Sequence, residues 1–153
     1  MQTIRRVYIP GVWDLFHVGH LNVLQEAKKN GTHLIVGVCS DEMCVKTKTN
    51  PPAIIDKWRR EVIDNLKFVD SSVIYRDLDY FGMVQFLGAE VFAVGEEFGY
   101  LPEHKEALKK FAEHGIDVVY IPRYQGISTT DIKKKILTTT IWKWISALIT
   151  MIH

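Results

Sequence analysis

Charge of one sign is the first thing this chain lacks. Nineteen Lys and Arg stand against eighteen Asp and Glu, a net charge of +1. Nucleic acid calls for a basic face, so the bulk charge argues for no nucleic-acid partner, and any anion must be met by a local arrangement. Cysteine is scarce as well. Cys39 and Cys44 are the only two, and their spacing fits neither a redox CxxC pair nor a zinc site. A reducing, cytoplasmic compartment is therefore expected, with Cys39, at the end of an apolar run, as a small buried hydrophobe. No internal repeat or low-complexity tract is present. No secretory leader is expected at the start, because Arg5 and Arg6 lead straight into a strand. What is there is 153 residues, 47% hydrophobic and 24% charged. That composition suits one globular domain that buries about two-thirds of its unfolded surface.

Strands alternate with helices along it. Residues 5–10 read as a first strand and 21–30 as a helix stopped by Gly31. Residues 33–39 (HLIVGVC) form a continuous run of the kind buried on both faces of a parallel sheet. Ser40, Asp41 and Glu42 can cap a short helix, and 46–52 (KTKTNPP) is loop. A helix is expected over 56–67, with Trp58, Val62, Ile63 and Leu66 on its apolar face. Further strands fall at 72–75, 91–94 and 117–122. Further helices fall at 80–87, at 102–114 with Pro at its start and Gly115 after its end, and from 128 onward. Five short strands with helical crossovers predict an α/β fold, a Rossmann-like three-layer domain with a five-stranded parallel sheet.

The chemistry concentrates at the first strand-to-helix turn, Gly11-Val12-Trp13-Asp14-Leu15-Phe16-His17-Val18-Gly19-His20. A lone histidine in a loop is ordinarily a surface or capped polar residue. Here His17 falls just before the helix and His20 in its first turn, with Gly19 between them leaving space for a phosphate to reach the backbone. The helix N-terminus adds unpaired N–H groups and a positive dipole end, which together suit a phosphate. Zinc needs three or four ligands, and no Cys or His cluster supplies the rest, so no metal held by protein side chains is expected. In an open parallel sheet, ligands lie at the carboxyl ends of the strands. The polar candidates fall there in chain order: His17 and His20, then Asp41 and Lys46, then Glu97, then Arg123 with Ser128, Thr129 and Thr130.

Two of these stretches carry a resemblance. His17-Val18-Gly19-His20 resembles the HxGH signature of the nucleotidyltransferase superfamily. Residues 123–131 (RYQGISTTD) resemble the RTxGISTT motif of its cytidylyltransferase branch. The likeness spans residues 5 to 137 and takes in glycerol-3-phosphate, phosphocholine and phosphoethanolamine cytidylyltransferases. It implies a catalytic domain over 1–137 that converts CTP and a phosphorylated small alcohol to a CDP-alcohol and pyrophosphate, with Mg²⁺ accompanying CTP, in a homodimer. It implies roles as well. His17 and His20 would stabilise charge on the reacting phosphates, and Lys46 would be a catalytic lysine. Lys48, Arg59 and Lys67 would lie by the substrate phosphate. Gly11, Val12, Trp13, Asp14, Gly19, Asp41, Glu97, Arg123, Gly126, Ile127, Ser128, Thr129 and Thr130 would hold the nucleotide.

The chain departs from the family pattern at Val12-Trp13, at Glu96-Glu97 where an aspartate pair is usual, near Leu78 where relatives carry tryptophan, and at Lys67, where arginine would bind a phosphate in two-pronged fashion. These departures touch the acceptor side and leave the CTP side intact. The 46–52 loop resembles phosphoethanolamine enzymes, while the short single-domain length resembles bacterial glycerol-3-phosphate enzymes; glycerol 3-phosphate is the acceptor expected. The 126–130 motif argues against an adenylyltransferase of the FAD synthetase kind. His17, His20 and Lys46 argue against an inactive nucleotide-binding module.

Residues 138–153 (TTTIWKWISALITMIH) lie outside the likeness. At 100° per residue, Ile141, Ile145, Leu148 and Ile152 share one face, with Trp142 and Ile149 beside it. The segment is short of the about 20 residues a membrane span needs. Packing on its own domain or on a partner subunit is expected ahead of a helix lying in a membrane interface, because its polar face holds Thr and Ser instead of Lys and Arg.

Overall fold

The computed structural model describes residues 3–47 and 51–152, the side chains of 143 and 146–152 excepted. Five strands, β1 (Arg6–Gly11), β2 (His33–Cys39), β3 (Ser71–Tyr75), β4 (Val91–Gly95) and β5 (Asp117–Ile121), make one sheet in the order β3-β2-β1-β4-β5. Every pairing is parallel. The chain winds outward from β1 through β2 to β3, then returns to lay β4 on the other side of β1. The strand order thus reverses beside β1. The crossovers are α1 (Val18–Lys28), α2 (Asp41–Thr47), α3 (Asp56–Asp64), α4 (Tyr80–Leu87) and α5 (Pro102–Glu113), and α6 (Thr129–Ile152) follows β5.

Alternation along β1 sends Val7 and Ile9 to one face of the sheet and Tyr8 to the other. Val7 and Ile9 pack with Leu24 and Ala27 of α1 and Ile63 of α3. Tyr8 packs with Val84 of α4 and with Ala107 and Phe111 of α5. Leu24, Ile63 and Phe111 have no exposed surface, and each contributes about 1.5–3 kcal/mol through burial. With helices on both faces, β2 is buried from Leu34 to Cys39, as its unbroken apolar run requires. The expected three-layer fold is present.

The details of three helices differ from the sequence pattern. α1 starts at Val18, ahead of its apolar period, because the His17 side chain caps it. α3 stops at Asp64 and buries Arg59 and Ile63, whereas Trp58 and Val62 are exposed (62% and 44%). Hydrophobicity ranks Trp58 above Arg59 for burial; the carbonyl groups described below reverse that order. α6 is one helix from Thr129 to Ile152. Its Ile141, Trp142, Trp144 and Ile145 are exposed, so these four do not pack on their own domain. The side chains of Leu148, Ile149 and Ile152 lie outside the described residues. Among the described residues no helix is long and apolar enough to cross a membrane.

Candidate active site

The last residue of every strand, Gly11, Cys39, Tyr75, Gly95 and Ile121, lines a single cleft of about 1170 Å³. A pocket for one drug-sized ligand measures about 300–1,000 Å³, so this cleft exceeds the space one small molecule needs. It opens at the carboxyl edge of the sheet, over the point where the strand order reverses, as the sheet topology demands.

The β1–α1 turn forms its floor. Trp13 and Leu15 sit at φ of +58° and +49°, a left-handed conformation that costs a non-glycine residue about 1–3 kcal/mol. Surrounding bonds hold them there. The Trp13 indole N–H donates to the Gly37 carbonyl at 2.8 Å, and its ring lies where a Cβ on Gly11 would meet it at 2.5 Å. Between the two strained residues, the buried Asp14 carboxylate accepts from the N–H groups of Ala53 and Ile54, each at 3.0 Å, and from Lys133 Nζ at 2.7 Å. Burial pushes this carboxyl up, but Lys133 and the two N–H groups outweigh it and hold the group below its ordinary value.

His17 Nδ1 accepts from the Gly19 N–H at 3.0 Å, so in the neutral ring the proton sits on Nε2. That Nε2 is buried with no protein partner among the described residues, as is Nδ1 of His20. Burial lowers the pKa of both rings; His17 adds to the effect on His20, which is pushed down to about 4. Gly19, read from the sequence as an opening for a phosphate, lines the cleft and also makes room for the His17 ring. A Cβ there would meet that ring at 2.8 Å.

α6 faces this turn. Ser128 Oγ accepts from the Asp131 N–H at 3.1 Å and donates to the Asp131 carboxylate at 2.6 Å, a reciprocal cap. Thr129 Oγ1 donates to the Asp14 carbonyl at 2.9 Å. Ser128, Thr129 and Thr130 all line the cleft; the first two hydroxyls have protein partners already. Val12, Lys46, Glu97, Arg123, Ile127 and Thr130 line the cleft together with the histidine turn. Gly126, at φ +114°, lines an adjoining recess with Arg123.

Three residues expected at the site are elsewhere. Arg59 is 2% exposed, and all three nitrogens of its guanidinium donate. It donates to the Val12 carbonyl, to those of Ile54 and Cys39 at 2.8 Å, and to the Asp41 carboxylate at 2.6 Å. It is a strut behind the cleft wall, and Asp41 is its counter-charge. Asp41 and Asp56 also accept from each other's backbone N–H, at 3.1 and 3.3 Å, tying the starts of α2 and α3. Neither Arg59 nor Asp41 lines the cleft. Lys67 lies in the turn that leads into β3, at the amino edge of the sheet, opposite the cleft. Lys48 lies outside the described residues.

The cleft also recruits residues the sequence reading did not name. Lys133 and Lys134 line it. They stand one helical turn after Thr129 and Thr130, so the i,i+4 rule applied to α6 would have found them. Tyr80, Phe98 and His104 line the β4 side, with His104 stacked on Phe98 at 4.0 Å between centroids. No local signal marks that group, because α4, α5 and the loop after β4 each supply one member.

A family model described as cytidylyltransferase-like matches residues 8–135. The glycerol-3-phosphate cytidylyltransferase of Bacillus spizizenii is 29% identical over 132 residues, covering 86% of this chain and 96% of that protein. The FAD synthase of Methanocella arvoryzae is 34% identical over 113 residues, covering 74% and 78%. Among solved structures, the lipopolysaccharide core biosynthesis protein from Thermoplasma volcanium is similar with a TM-score of 0.67 at 26% identity, over 82% of this chain and 100% of that one. The family match runs from the first strand into the last helix, through every element that borders the cleft, and the chain accordingly belongs to the cytidylyltransferase-like family of nucleotidyltransferases.

Proposed function

We propose that the cleft transfers a cytidylyl group from CTP to the phosphate of a small phosphorylated alcohol, with glycerol 3-phosphate as the acceptor. The observation that carries this reading is the pair of buried imidazole nitrogens, His17 Nε2 and His20 Nδ1, that lack protein partners. Burying a polar group without a hydrogen bond costs about 1–3 kcal/mol, and a phosphoryl oxygen in the cleft would satisfy the His17 N–H. An oxygen of the acceptor phosphate attacks the α-phosphorus of CTP. The new P–O bond forms as the α–β bridge breaks, and pyrophosphate leaves with the electron pair. No protein nucleophile is required; positioning and charge stabilisation do the work. The imidazoles are fixed by their stack and by the Gly19 N–H before the charge develops. Lys46, Lys134 and Thr130 line the same cleft and complete the phosphate surroundings, while Arg123 stands at the recess suited to the cytosine or ribose.

Mg²⁺ would arrive with CTP, on phosphate oxygens and water.

Glycerol 3-phosphate is favoured because the Bacillus spizizenii relative matches along nearly its whole length. The likeness to an FAD synthase supports a second reading, adenylyl transfer from ATP to FMN. Each NTP should be incubated with a panel of acceptors that includes glycerol 3-phosphate, phosphoethanolamine, phosphocholine and FMN, and pyrophosphate release followed. The proposal expects turnover with CTP and glycerol 3-phosphate; turnover with ATP and FMN would select the second reading. The proposal includes a cytoplasmic homodimer, C₂ pairs being the commonest oligomers, with the exposed apolar residues of α6 as its contact.

A further inference from the structure

Asp14 is where three walls of the cleft meet. Its carboxylate takes the N–H groups of Ala53 and Ile54, which follow the loop after Lys46, and the Nζ of Lys133 on α6. Its carbonyl takes the Thr129 hydroxyl, also on α6. The Asp14 side chain is 5% exposed, and Lys133 is the cation paired with it among the described residues. A buried carboxylate depends strongly on such a partner.

The two contacts from α6 lie one helical turn apart and end on the same residue. One contact would fix only the distance between the helix and the turn. Two contacts, at Thr129 and Lys133, also fix the tilt of α6 against the turn. That tilt sets where the first turn of α6, with its Thr130 hydroxyl, stands over the cleft. Asp14 stands three residues before His17 on the histidine turn, so the same pair of contacts sets α6 against the imidazoles.

We propose that Lys133 is a positioning residue of the transfer reaction. Through Asp14 it holds the first turn of α6 in register with the His17–His20 turn, so that both sides meet the triphosphate at once. This rests on the reading of the cleft as the nucleotide site.

Four variants test it: Lys133→Met, Lys133→Arg, Asp14→Asn, and the double variant Asp14→Asn/Lys133→Met. Hydrogen exchange of residues 128–134, measured without nucleotide, reads the anchor directly and is independent of the reaction. Lys133→Met should speed that exchange and raise the KM for CTP about tenfold, the scale of one charge-assisted hydrogen bond. The acceptor KM should move little, and Lys133→Arg should restore most of the loss. The double variant should be no worse than Asp14→Asn alone, because contacts that act as one unit are not additive. Multiplied losses in the double variant would mean that Lys133 acts on the nucleotide itself and would overturn the proposal, as would unchanged exchange in Lys133→Met. If Asp14→Asn does not fold, the comparison of Met with Arg at 133 decides. A parent protein that turns over no CTP would sink the proposed function, and the exchange comparison would still judge the anchor.

Discussion

His17 and His20 stack face to face, their ring centroids 3.9 Å apart and their planes 25° from parallel. Trp13 meets the His20 ring edge-on at 5.6 Å, and Phe16 lies 5.5 Å away. Burial takes away the water that would solvate a proton on either imidazole, and His17 adds to that cost at His20. The pair is therefore neutral near pH 7, a set of oriented dipoles, until an anion enters the cleft and makes the charged form more favourable.

If these rings stabilise the charge of the five-coordinate phosphorus, His17→Ala or His20→Ala lowers kcat by about 10²–10³, the scale for losing one preorganised donor. The thermal midpoint should change little by comparison. Pyrophosphate release by a fully active His20→Ala enzyme would remove the histidines from the mechanism.

The same burial makes stability depend on pH. His20 titrates near 4 in the folded protein, against 6.5 for an ordinary histidine. Between those values the unfolded chain binds a proton that the folded chain refuses. Stability is therefore fully present above pH 6.5 and is lost as the pH falls toward 4. His17 and His104, also lowered by burial, act in the same direction. The Asp14 carboxyl, lowered from 3.8, gives up its contribution only in more acid solution. The thermal midpoint of the parent should drop more steeply from pH 6.5 to 4 than that of His20→Gln. Equal slopes would show that His20 is not the source.

Arg59 should behave as a structural group. Arg59→Met leaves Asp41 without its counter-charge and three carbonyls without a donor. The expected cost is about 3–5 kcal/mol, the range for removing one partner of a buried pair, toward its lower end because Asp41 keeps 36% of its side chain in solvent. Urea unfolding reads this directly. Unchanged stability with a raised acceptor KM would return Arg59 to the substrate phosphate.

Removing residues 138–153 takes away the exposed Ile141, Trp142, Trp144 and Ile145. Sedimentation of the shortened chain should show weaker self-association, with turnover per folded subunit largely kept. Flotation of the full chain with lipid vesicles, and not of the shortened one, would assign this face to a membrane surface instead.

The strands and the histidine turn were legible because their signals are local. An unbroken apolar run such as 33–39, or a glycine and two histidines at a strand-to-helix turn, needs only neighbouring residues to be read. The order of polar residues along the chain even pointed to the correct edge of the sheet for Lys46, Glu97 and Arg123. Local signals do not reach a side chain whose role depends on groups brought from elsewhere. Arg59 looked like a phosphate ligand and Trp58 like core, yet Arg59 is inside because Val12, Cys39 and Ile54 place carbonyl oxygens together that need a donor. Lys67 has the right charge but stands before its strand, and only the parallel register puts it on the far edge.

What this sequence determined by itself is the alternation of strands and helices, and the turn that carries the imidazoles, since both follow from period and backbone preference over a few residues. Only the tertiary structure decided that Asp14 would be the buried junction of three walls, with Lys133, one hundred and nineteen positions along the chain, as its counter-charge. Nothing local selects that pair. It exists because folding puts a carboxylate out of reach of water, and a charge so placed keeps its ionised form through whichever cation the packed helices bring beside it.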